Sequence, residues 1–169
     1  MLVRVLIILS ISLYGSLAFA ADPPIYSHYQ KGAINGTDPV AYFSLPAGAK
    51  AVKGSPDITY IYKGAVWRFA SEENKQKFIN NPEMYEPQYG GYCAFAASFN
   101  FTTSIRPNSW SIVDGKLYLN HNNSSMKRFT ADRENKIIKA DKNWPNLLTR
   151  CERRKNCRKW PDLDKLRKS

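Results

Sequence analysis

The sequence is poor in the side chains that carry chemistry. Its 169 residues include two histidines and three cysteines. Cys151 and Cys157 lie close together near the C-terminus and read as a disulfide pair, which leaves Cys93 as an odd thiol. Cys93, His28 and His121 alone fall short of the four ligands of a structural zinc site. The same scarcity leaves Cys93 with His121 as the pair available for nucleophile and base. No motif of a cysteine hydrolase surrounds Cys93, so the chain reads as a non-enzyme. Acids are scarce too, 14 against 25 Lys and Arg, for a net charge of +11. The imbalance is concentrated at the C-terminal end. Residues 146–169 hold nine Lys or Arg against three acids. Their basic run at 150–159 suits an anionic surface, or simply solubility. The first twenty residues read as an export signal, so nucleic acid is not an expected partner.

Long apolar runs are missing beyond the N-terminus, so no later segment has the ~20 apolar residues of a membrane span. The first stretch, MLVRVLIILSISLYGSLAFA, has Arg4 as its positive end and an apolar run from Val5 to Leu13. Ala18-Phe19-Ala20 supplies a small-x-small cleavage site between Ala20 and Ala21. Residues 1–20 therefore read as a secretory signal peptide. Export to the periplasm or the extracellular space follows, where disulfides persist. What remains suits one domain, residues 21–145, followed by the basic tail at 146–169.

Within the domain, residues 22–57 are rich in turn-formers and read as a loop-rich lead-in. Ile58–Tyr62 and Ala65–Phe69 alternate around Lys63-Gly64, a hairpin pattern. Ser71 followed by Glu72 and Glu73 starts a helix, because the first N–H groups need acceptors. Asn80-Asn81-Pro82 ends it. GGYCAFAA is small and apolar and suits a buried short helix around Cys93. Trp110–Asn120 forms a second hairpin around Asp114-Gly115, and a short helix follows through Met126 and Phe129. A last helix, about Ala131 to Lys142, should close at Trp144-Pro145. Sliding the chain by 51 places Gly64 on Gly115, Trp67 on Tyr118 and Phe78 on Phe129, the pattern of an internal pseudo-repeat. The fold class is α+β: a small antiparallel sheet from two β-hairpins, with short helices packed on it.

DPVAYF (Asp38–Phe43), WRFAS (Trp67–Ser71) and NPEMY (Asn81–Tyr85) together resemble the YHS domain. YGGYCAFA, VDGKLYLN and KADKNWP are similar to its secreted single-domain subgroup. The resemblance implies a small α+β module, of a kind often treated as binding soft metals in copper-transporting ATPases and related proteins. It also implies that Ala41, Ala70 and Asn74 stand where the family has cysteines. A methyl group donates no lone pair, whereas thiolates select copper(I) and zinc.

Cys93 and His121 are 28 residues apart, against 29 for Ala41 and Ala70, and the shift of 51 carries Ala70 onto His121. The pair is thus a candidate relocated copper or zinc site, with His28 or a tyrosine completing it. The competing reading is a buried thiol packed among alanines. Gly90 and Gly91 suit close approach, by a flat ligand or by another backbone. Asn35, Asn100, Asn122 and Asn123 begin N-x-S/T triplets. The sequence thus describes an exported, non-catalytic ligand-binding module with a metal ion as one candidate ligand. The alternative is a structural or partner-binding module docked through its basic tail.

Overall fold

The computed structural model describes residues 24–153. The chain enters through two short antiparallel strands, β1 (Ser27–His28) and β2 (Gly32–Ala33). A 3-10 turn follows over Ala41–Ser44. β3 (Ser55–Tyr62) and β4 (Ala65–Phe69) then form the first long hairpin. Helix α1 (Glu72–Asn80) and the single turn α2 (Pro82–Tyr85) come next, followed by the four-residue helix α3 (Ala94–Ala97). The second hairpin is β5 (Arg106–Val113) with β6 (Lys116–Asn120). Helices α4 (Asn123–Ala131) and α5 (Arg133–Arg153) complete the described chain. None of its helices is long and apolar enough to cross a membrane.

The hairpins form where local chemistry demands them. Lys63 and Gly64 both have positive φ, 47° and 72°, as do Asp114 and Gly115, 50° and 70°. This double left-handed turn matches the twist of the flanking strands. β4 turns Ala65, Trp67 and Phe69 fully inward, and α1 lays Phe78 against both rings. Burying such large side chains contributes about 1.5–3 kcal/mol each.

The pseudo-repeat is written into the backbone. A shift of 51 carries β3 onto β5, β4 onto β6 and α1 onto α4, bound for bound. The register irregularity between Ser55 and Thr59 recurs between Arg106 and Trp110. The cap recurs as well: the Ser71 side chain accepts from Asn74 N–H, and that of Asn122 from Ser125 N–H. Phe78 and Phe129 are both fully buried.

Two expectations need correction. The long hairpins do not join one sheet; each is a separate two-stranded sheet, as is the β1–β2 pair. They meet through side chains instead. Trp67 and Phe69 share one core cluster with Trp110, Leu117 and Leu119. Tyr118 points the other way, into a second cluster with Tyr89, Phe129, Ala140 and Leu147. Covered on both faces, β6 links the two clusters. The last helix also continues past Trp144, through Pro145. Proline costs a helix one backbone bond. Here the next turn buries Leu147, and Trp144 packs on Tyr89 and Tyr92, which offsets that loss.

Candidate functional site

Asp38 is fully buried and is the centre of the first half. Its Oδ1 accepts the N–H groups of Val40 (2.8 Å) and Ala41 (3.2 Å), capping the 3-10 turn. Its Oδ2 accepts Ala70 N–H at 2.8 Å and Asn74 Nδ2 at 2.7 Å. An aspartate before proline is suited to the first pair of bonds, because its side chain reaches the backbone two residues on. The second pair reaches across to the entrance of α1. The backbone N–H groups of Ala41 and Ala70 and the side-chain amide of Asn74, three positions where the resemblance implies cysteines, thus close on one carboxylate. Ala41 and Ala70 take part through the backbone, and Asn74 spends its side-chain amide on Asp38. Together these bonds form a closed, hydrogen-bonded clasp around the buried carboxylate.

The second half repeats this clasp with sulfur. His121 N–H donates to Cys93 Sγ at 3.2 Å, just as Ala70 N–H donates to Asp38. Cys93 sits at the start of α3, as Asp38 sits before its 3-10 turn. Cys93 is therefore the counterpart of Asp38. The near match of its spacing from His121 to that of Ala41 and Ala70 misassigns it. The clasp spans 28 residues in the second half and 32 in the first, so a constant shift of 51 does not hold upstream of the hairpins.

Cys93 and His121 are neighbours, but through the His121 backbone. The thiol is buried and lies 3.9 Å from Asn120 Oδ1 as donor. Burial pushes its pKa up against the partial opposition of backbone N–H groups, so it stays protonated at neutral pH. A neutral thiol is a poor nucleophile. The exposed imidazole turns to Ser104, with Nδ1 3.2 Å from its Oγ and 3.1 Å from its carbonyl oxygen. His28 lies in β1, accepts Gln30 N–H and stacks on Tyr29. No group of three His, Cys, Asp or Glu side chains suited to a metal gathers among the described residues. The donor chemistry at Cys93 and His121 does not fit a copper or zinc centre.

Gly90 serves close backbone packing. Tyr26 N–H donates to its carbonyl at 2.7 Å, and a Cβ on Gly90 would overlap the Pro24 carbonyl. Beside it, Tyr89 donates to Asp141 Oδ1 at 2.9 Å on α5. The cleavage residues Ala20 and Ala21, the Cys151–Cys157 bridge and most of the tail at 150–159 fall outside the described residues or side chains.

The family model of the YHS domain matches residues 45–89. That segment covers the first hairpin, α1 and α2, and includes Ala70 and Asn74. Metal binding is the property associated with this family. No curated protein and no solved structure gives a significant match.

Proposed function

We propose that the protein is an exported, non-catalytic binding module in which a hydrogen-bonded clasp stands in place of the family's soft-metal centre. The observation that carries this reading is the convergence of Ala41, Ala70 and Asn74 on Asp38. The non-catalytic part rests on Cys93, whose sulfur accepts a backbone N–H while the neighbouring imidazole faces Ser104. Export rests on the N-terminal sequence. Mass and elemental analysis of protein purified after secretion tests both parts. The expected product begins at Ala21 and carries copper and zinc far below one ion per chain. One ion per chain, lost on Cys93→Ser, would overturn the clasp; a retained N-terminus would overturn export.

A further inference from the structure

A cavity of about 410 Å³ opens on the side of the domain formed by the lead-in loop and the start of β5. Three chain segments wall it: Lys31 to Thr37, Lys50 to Lys53, and Pro107-Asn108. A backbone bridge and a backbone-to-side-chain bond fix these segments to one another. Thr37 bridges Lys53, and Ala51 N–H donates to Asn108 Oδ1 at 2.9 Å. A buried chain of hydroxyls supports the floor. Thr37 Oγ1 lies 3.1 Å from Tyr42 Oη, which donates to the Pro107 carbonyl at 3.1 Å. The cavity is thus held open by the fold.

Its lining is cationic and contains no acid. The four ion pairs among the described residues involve other lysines, so Lys31, Lys50 and Lys53 have no acidic partner there. The Asn108 oxygen is occupied by Ala51, which leaves its amide donors for a ligand. A fourth cation, Arg68, lies behind Gly36, with Nη2 on the Gln30 carbonyl and a buried Nε without a partner. A cleft of one charge sign concentrates counter-ions. Its size falls within the ~300–1,000 Å³ of small-ligand pockets.

We propose that this cavity binds a small soluble polyanion of the phosphate type, with Lys31, Lys50 and Lys53 supplying charge and Asn108 an amide donor. The proposal rests on the reading of the domain as a binding module, and the two fail separately. A stoichiometric metal ion would overturn the clasp and leave the anion site standing.

The test is titration of the isotopically labelled mature chain with inorganic pyrophosphate, read by amide NMR shifts. Saturable shifts at Asn35, Thr37, Lys53 and Asn108 are expected. The triple variant Lys31→Gln/Lys50→Gln/Lys53→Gln should bind about tenfold more weakly, or worse, because charge-assisted donors are lost. The variant Lys116→Gln/Lys127→Gln/Lys139→Gln loses the same charge from exposed helix and strand positions and should bind as wild type. Shifts confined to residues 146–169 would overturn the site. So would equal weakening by both triple variants, or no saturation in the wild type. All six substitutions are at exposed lysines outside the core, and unchanged amide spectra of the free variants confirm the fold.

Discussion

Replacing Asp38 by alanine should be among the most damaging single changes in the first half. The substitution strands four donors at once. Val40 and Ala41 are buried, so their N–H groups cannot turn to water. Each such orphan costs about 1–3 kcal/mol. Ala70 is exposed and Asn74 half-buried, so their donors are partly rehydrated and add less. The expected loss is about 3–5 kcal/mol, a large part of a small domain's stability. Asp38→Asn keeps an oxygen for Val40 and Ala41 but sets an NH2 group against two donors, and should lose about 2 kcal/mol. Asn74→Ala removes one bond at the rim, for about 1 kcal/mol. Urea unfolding followed by tryptophan fluorescence ranks the three. An Asp38→Ala variant within about 0.5 kcal/mol of wild type, or an equally costly Asn74→Ala, would show that the buried donors are not stranded.

Alkaline pH should unfold the protein early. Burial, reinforced by Asp38, raises the Tyr42 pKa; burial and the bond to Asp141 raise that of Tyr89; and burial lifts that of Tyr118 to about 12. Phenols with raised folded pKa values contribute stability that is complete below the unfolded value of about 10 and is lost as pH rises through the folded values. Phenolate absorbance should therefore show these tyrosines ionising together with unfolding; all tyrosines titrating in an intact fold would contradict this. Cys93 follows the same sign from about pH 8.5 upward. In the folded protein it should resist alkylation at neutral pH until denaturant is added, and rapid native labelling would refute its burial. Gly90→Ala, at φ 58° and against the Pro24 carbonyl, should cost more than about 3 kcal/mol. Gly115→Ala, in open space at φ 70°, should cost about 1–2 kcal/mol. Equal thermal midpoints for the two variants would refute the close approach.

The parts of the fold legible in the sequence are those decided within a few residues. The turns at Lys63-Gly64 and Asp114-Gly115, the Ser71 cap and the Asn80-Asn81-Pro82 stop all have local causes. The shift of 51 was legible because both halves use the same turn and the same buried phenylalanine. Clasp chemistry was not, since Asp38 meets Ala70 and Asn74 across more than thirty residues. Spacing alone paired Cys93 with the wrong position, because the second half is shorter upstream of its hairpin. Pro145 suggested an end to α5 that the burial of Leu147 overrides. Lys31, Lys50 and Lys53 are scattered along the loop-rich lead-in with no motif among them, and only tertiary structure gathers them around one cavity.

If the Asp38 clasp stands in place of a soft-metal site, cysteines restored at its three contact positions should restore copper(I) binding. The most direct measurement is competition for copper(I) between a chromophoric chelator and two proteins, the wild type and the variant Ala41→Cys/Ala70→Cys/Asn74→Cys. Three thiols at the positions that close on Asp38 should give the variant one tightly held copper(I), because thiolates select that ion. The wild type should leave the chelator loaded. A wild type that strips one equivalent as effectively as the variant would show that the clasp has not replaced a metal site.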